Sequence, residues 1–152
     1  MKNEQAKILH EDLSARLPYG VKIHIESCGE VWDDVLDSIS IGKAGSTPMT
    51  YINRTVILEN CICKPYLRPL SSMTQDEQDE LHDWGFDYRC GKYGVSIESG
   101  RGLDMDNNIS NYTMDYTDAI WLIRWFIKHH FDFNGLMEKG LALPAPKGMY
   151  EV

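Results

Sequence analysis

Lys128-His129-His130-Phe131-Asp132 brings two imidazoles and a carboxylate into five consecutive residues. Neutral imidazole binds transition metals and titrates near neutrality, so His129, His130 and Asp132 carry the chemistry of a small metal-dependent hydrolase or nuclease. No further ligand stands beside them. Cations at a helix C-terminus also satisfy the last carbonyls and the helix dipole without any function. Cys61-Ile62-Cys63 would put two sulfurs on one face of a strand. A zinc site needs a second pair, and Cys28, Cys90, His24 and His82 stand singly, so small buried thiols are the simpler reading.

Two other stretches imitate ligand loops and fail where the chemistry is strictest. Asp104-Met105-Asp106-Asn107-Asn108, with Asp115 at the twelfth position, resembles a calcium loop. Ile109 occupies the position that needs glycine, and the last ligand is the shorter Asp. Gly42-Lys43-Ala44-Gly45-Ser46-Thr47 looks like a phosphate loop, but Asp37 stands where its first glycine belongs and Ala44 where its hydroxyl belongs. No G-x-S-x-G is present, and no cysteine has a recognisable His and Asn partner. No cofactor is expected.

Contact chemistry is better represented. Ala119, Leu122, Ile123, Phe126 and Ile127 form one apolar stripe at helical spacing, and Ile120, Trp121 and Trp125 lie beside it with Arg124 and Lys128. Such a helix is either buried between layers or presents its second face to a partner. Trp121 and Trp125, one turn apart, would be an anchor pair, with Trp121 expected to be the more buried because it stands beside Leu122. Lys64, Tyr66 and Arg68 form a small cationic and aromatic patch, fit for an anion or an acidic partner or for internal pairing with the chain's own acids.

The elements that must position these residues follow from periodicity. Ala6, Leu9, Leu13 and Leu17 make an amphipathic helix that Pro18-Tyr19-Gly20 ends. Val21, Ile23 and Ile25 alternate as a strand. Val35, Ile39 and Ile41 predict a second strand with Asp37 out of pattern, followed by a loop from Gly42 to Pro48. From Tyr51 to Lys64 the even positions Ile52, Val56, Leu58 and Ile62 predict one long strand with a buried even face. Pro65 and Pro69 predict an extended connector, and Thr74 with Glu77 predicts a capping box opening a helix to about Trp84. Val95 and Ile97 suggest another strand. The strongest helix signal runs from Asp115 to His130, and a helical turn follows Asn134 before Pro144-Ala145-Pro146. The order favours an α+β fold, a single domain over residues 1–152 with a mainly antiparallel sheet packed by N-terminal and C-terminal helices, and an extended tail over 144–152.

Composition limits the function classes. The chain has 152 residues, of which 43% are hydrophobic and 11% aromatic. That is enough for a core. No run approaches the roughly eighteen apolar residues of a membrane span, and the polar N-terminus lacks a secretory h-region. A cytoplasmic protein with four free thiols is expected. The net charge of −8, with −2 over residues 1–76 and −6 over 77–152, disfavours nucleic acid and anionic membranes.

Three stretches stand out as a set: Leu13-Ser14-Ala15-Arg16-Leu17-Pro18-Tyr19-Gly20-Val21, Lys64-Pro65-Tyr66-Leu67-Arg68-Pro69-Leu70-Ser71-Ser72-Met73-Thr74, and His130-Phe131-Asp132-Phe133-Asn134-Gly135-Leu136 continuing to Gly140-Leu141-Ala142-Leu143 and Ala145-Pro146-Lys147-Gly148-Met149-Tyr150. Together they resemble a family of short uncharacterised proteins from phages and mobile elements of gut Bacteroidetes. The resemblance implies a setting and no activity, cofactor or catalytic residue. The expectation is a noncatalytic interaction or accessory module with an unidentified protein partner, a homodimer remaining open. The alternative is the metal-dependent enzyme built on His129, His130 and Asp132.

Overall fold

The structure, a computed structural model, describes residues 3–92, 94–99 and 116–150. Helix α1 (Asn3–Arg16) buries Ala6, Leu9 and Leu13 against the sheet, and Gly20 at φ +65 turns the chain into β1 (Lys22–Ser27). β1 and β2 (Glu30–Val35) form a tight hairpin whose two turn residues, Cys28 and Gly29, both have positive φ. That is the turn twist a two-residue hairpin requires. β3 (Ile39–Ala44), β4 (Thr47–Ile52) and β5 (Val56–Ile57) follow as an antiparallel sheet of their own.

β6 (Ile62–Leu67) returns beside β1, and β9 (Leu143–Pro144) adds a short parallel strand, giving the order β2-β1-β6-β9. Between them lie α2 (Gln75–Asp83), the hairpin β7 (Phe86–Gly91) with β8 (Gly94–Ser99), and α3 (Tyr116–Lys128). The fold is α+β with mainly antiparallel pairing. The capping box at Thr74 and Glu77 is present in both directions.

Buried apolar residues gather in two clusters. One packs α1, the inner face of β1 and β6, and Leu136, Leu141 and Ala142. The other is aromatic and packs Leu81, Phe86, Leu122, Trp125, Phe126 and Phe131.

The structure corrects five expectations. Val35, Ile39 and Ile41 do not share a strand: Val35 ends β2 and Ile39 opens β3 in a different sheet, and Val35 and Ile41 are exposed. Gly42 to Pro48 is no loop, because Gly42 and Lys43 pair with Met49 and Pro48 in the β3–β4 hairpin. Glycine is needed at 42 for contact rather than for phosphate: an added Cβ would lie 2.6 Å from the Tyr51 ring. The long strand from Tyr51 to Lys64 is broken, since Asn53 and Arg54 take left-handed φ of 50° and 60° and a 3-10 turn occupies Leu58–Asn60. After that break the buried face changes parity, so Ile62 is exposed while Cys63, Pro65 and Leu67 are buried.

The proline-bracketed connector is the strand β6. It tolerates Pro65 because Leu67, on the same hydrogen-bonding side two residues on, turns its carbonyl to the Ala145 N–H, away from β1. The missing amide therefore costs no bond to β1. The Asp104 to Asp115 stretch lies outside the described residues.

Asn53 fixes the reversal that separates the two sheets. Its Oδ1 accepts from the Asp37 and Ser38 N–H groups, and its Nδ2 donates to the Val35 carbonyl and to Asp34 Oδ2. Asparagine tolerates the left-handed region better than other non-glycine residues. Asn53→Ala should therefore cost on the order of 2–4 kcal/mol, because it strands buried amides and keeps the strained φ. Urea unfolding measures this, and a loss under about 0.5 kcal/mol, the level of an ordinary surface change, would contradict the role given to Asn53.

Candidate functional site

The residues singled out by sequence converge on the segment that leaves α3. α3 ends in a left-handed cap in which the His130 N–H donates to the Ile127 carbonyl and the Phe131 N–H to the Phe126 carbonyl. His130 holds the cap position at φ +64, and the Phe126 and Phe131 rings meet edge to face across it. Glycine is the usual residue there. The same chain uses Gly140 at φ +72 in an equivalent turn, where Leu141 N–H donates to Leu136 O.

Below this cap lies a buried ion pair. Arg68 is 8% exposed and Glu77 5%. Arg68 Nη1 and Nη2 donate to the two Glu77 oxygens at 2.8 and 2.7 Å, and weaker bonds reach the His129 and Ser72 carbonyls at 3.3 Å. The guanidinium lies 4.2 Å from the Phe131 ring centre. Burial alone would push the Glu77 carboxyl up, but the bonds from Arg68 and from Thr74 hold it below its ordinary value.

The pair floors a cleft of about 700 Å³ between the turn after α1, the start of α2, the end of α3 and the tail. His129 stands over Glu77, Nδ1 to Oε2 3.4 Å, and against the Trp125 ring at 4.4 Å. His130 stacks on Tyr150 at 3.8 Å with its Nδ1 buried and without a hydrogen-bond partner. Burial lowers both imidazoles, His130 to about 4, and the Arg16 and Arg68 charges lower His130 further. Both rings are neutral at pH 7.

The triad of potential metal ligands is not assembled. Asp132 points the other way and accepts from the Leu136 and Met137 N–H groups at 2.8 and 3.0 Å, closing the turn after α3. Among the described residues no three His, Cys, Asp or Glu side chains are placed to hold a metal ion. Cys61 and Cys63 are buried thiols pushed by burial to about 11 and about 12, so neither is a thiolate at neutral pH. All four cysteines are free.

The contact residues divide. Trp125 is 5% exposed and Trp121 half-buried, the reverse of the expected order, because Trp125 faces Phe131 and the aromatic cluster. Arg68 is likewise internal, so neither it nor Trp125 can meet a partner directly. Ile123, assigned to the buried stripe, is 42% exposed. Lys64 and Tyr66 face outward on β6, where the Tyr66 hydroxyl donates to Asp33 Oδ1 at 2.9 Å.

Sequence reasoning missed two groups. Trp84, 49% exposed, packs on Trp121 at 4.7 Å between ring centres. His24 and Asp33, unremarkable as single residues, are opposite one another in the β1–β2 register and bond at 2.9 Å, with Glu26 on the other ring nitrogen at 3.1 Å. The Asp33 bond, then Glu26, raises the His24 pKa. Strand alternation was the one signal for that cluster.

The neutral, capped His130 gives a pH dependence of definite sign. Its folded value of about 4 lies below the ordinary 6.5. The unfolded chain therefore binds the proton more readily, and stability is lost as pH falls from about 6.5 towards 4. His130→Asn keeps a residue suited to positive φ and removes the titration. Urea midpoints across that interval should fall less steeply in His130→Asn than in the wild type, and parallel curves would show that the imidazole is not held neutral.

No family model, curated protein or solved structure matches the chain.

Proposed function

We propose that the protein is a noncatalytic interaction module that binds a protein partner through the outer face of α3. The observation that carries this reading is the exposure of large apolar side chains on one surface. Trp84, Ile120 and Ile123 are 49%, 47% and 42% exposed, and the Trp84–Trp121 stack joins the end of α2 to α3. Arg124 is exposed beside them. Exposed isoleucines on α3, with an aromatic anchor and an arginine, have the composition of an interface centre.

Behind that surface the aromatic rings continue inward. Trp121 stacks on Phe86 and on Trp125, and Trp125 on Phe131, so the contact face rests on buried rings. An anchor held this way loses little freedom on binding. The resemblance to phage and mobile-element proteins fits a small accessory protein that acts on a host protein by contact, in the cytoplasm. Lys64 and Tyr66, on the outer face of β6, are a second contact region in this reading.

The double variant Ile120→Asp/Ile123→Asp tests it. Both positions are exposed, so melting should change little, as for ordinary surface changes of about 0.5 kcal/mol. Tagged wild-type protein should retain from host lysate a protein that the variant does not, and if the partner is a second copy the wild type alone should sediment as a dimer. Identical retained proteins and identical sedimentation for the two would remove the α3 face from the account.

A further inference from the structure

Each sheet ends in strands whose outer edge has no neighbouring strand among the described residues, and β3 differs from the rest of them. We propose that β3 pairs antiparallel with β3 of a second copy of this chain, about a two-fold axis at Ile41, and so joins the two three-stranded sheets into one. Ladder parity fixes which groups are free. In the β3–β4 hairpin Pro48 stands opposite Lys43 and has no amide to give, and the Thr50 N–H, opposite Ile41, donates away from β3 to the Glu59 carboxylate at 3.0 Å. Those two pairs are therefore non-hydrogen-bonded, as is Ile39 with Ile52. Ile39, Ile41 and Lys43 thus turn their N–H and C=O groups away from β4, along the open edge.

The other edges are guarded against such pairing. β2 carries Glu30, Asp33 and Asp34, and the Val35 N–H and C=O are taken by Asp34 Oδ1 and Asn53 Nδ2. Charges and side-chain caps of this kind keep edges apart. β5 and β9 have two residues each, and β9 ends in Pro144. β7 holds Asp87 and Arg89, and β8 holds Glu98. β3 has six residues with no proline, no acid and the single charge of Lys43. Residues 38–58 contain no Asp or Glu in a chain of net charge −8, so here two copies can meet without bringing acids together.

Register and burial select a second copy as the occupant. With the axis at Ile41, the two Ile41 residues form a hydrogen-bonded pair and Ile39 of each copy faces Lys43 of the other, so every outward group of the three residues is used. The lysines then stand at opposite ends of the pair. Ile41 is 68% exposed. It shares a face with Ile39 and Ile52, which belong to the aliphatic core, but lies past the end of that core, at a groove of about 660 Å³ that Ala6 and Pro48 also line. In the pair the two Ile41 side chains lie on one face, their Cα atoms about 5.5 Å apart, and each covers the other. β3 is thus its own complement in both hydrogen bonding and apolar surface.

One strand pair is a small interface, so the dimer forms reversibly with concentration. Sedimentation of the full-length protein from about 5 μM to about 0.5 mM should show a monomer–dimer equilibrium, strengthened by added sodium chloride because the net charges repel. Hydrogen exchange read by NMR on the wild type should show the Ile39, Ile41 and Lys43 amides gaining protection with concentration, while those of Ser40 and Gly42, bonded to β4, are protected throughout. Ile41→Lys, at an exposed position, sets like charges directly opposite one another; it should melt like the wild type at the lowest concentration and dimerise on the order of tenfold more weakly. Ile120→Asp/Ile123→Asp should dimerise like the wild type, which separates this edge from the α3 face. The pairing is refuted by a wild type that stays monomeric throughout, by a dimer that Ile41→Lys leaves unchanged or that the α3 variant abolishes, or by no gain of protection at the three alternate amides.

Discussion

Phe131 lies between two buried guanidinium groups, and the rest of the molecule is arranged around that contact. Arg16 is completely buried and donates from Nη2 to the Phe131 carbonyl at 2.9 Å, while Arg68 lies over the Phe131 ring. A guanidinium cannot be stripped of water without a partner. Each therefore brings its own carboxylate: Asp12, one turn back on α1 at 2.8 Å, and Glu77, at the start of α2. The Arg68 backbone also accepts from Asp132 and donates to His130, so the segment leaving α3 continues β6 as a further bridge. One side of the knot belongs to the aliphatic core and the other to the aromatic core.

The cleft and the α3 face both follow from this knot. Glu77 is spent on Arg68 and on its own capping box, which orients α2 so that Asp76 and Glu80 line the cleft. The left-handed exit at His130 carries the chain to Asp132, whose carboxylate starts the next turn. The rings that pack outward from Phe131 through Trp125 to Trp121 hold Trp84 and the exposed isoleucines of α3 at the surface. A side chain at the cleft and one on the α3 face therefore share a foundation without touching.

Much of the fold was legible in the sequence because periodicity reports burial directly. The stripe of α1, the alternation of β1, the capping box at Thr74 and the long signal of α3 are local patterns, and each became the expected element. The failures have two physical causes. Asn53 and Arg54 reverse the chain by backbone conformations that an apolar pattern cannot display, and the 3-10 turn at Leu58–Asn60 then moved the buried face of everything from Cys61 to Leu67 by one position. Pro65 read as a breaker because sequence does not say which side of a strand has a neighbour. At the site, His129, His130 and Arg68 were visible as reactive types. Their partners Glu77, Tyr150 and Trp125 are supplied by tertiary packing, which also sends Asp132 away from the imidazoles. Trp84 was hidden by its place at a helix end, where periodicity has run out.

The central claim is that the two buried pairs hold one segment together. Asp12→Asn and Glu77→Gln each remove a charge while keeping the shape of the side chain, and the carboxylates sit on different helices. A double-mutant cycle by urea unfolding should give a coupling of about 1 kcal/mol or more, because both arginines act on Phe131. Losses that add to within about 0.5 kcal/mol would mean the pairs are independent and the knot is not what unites the fold.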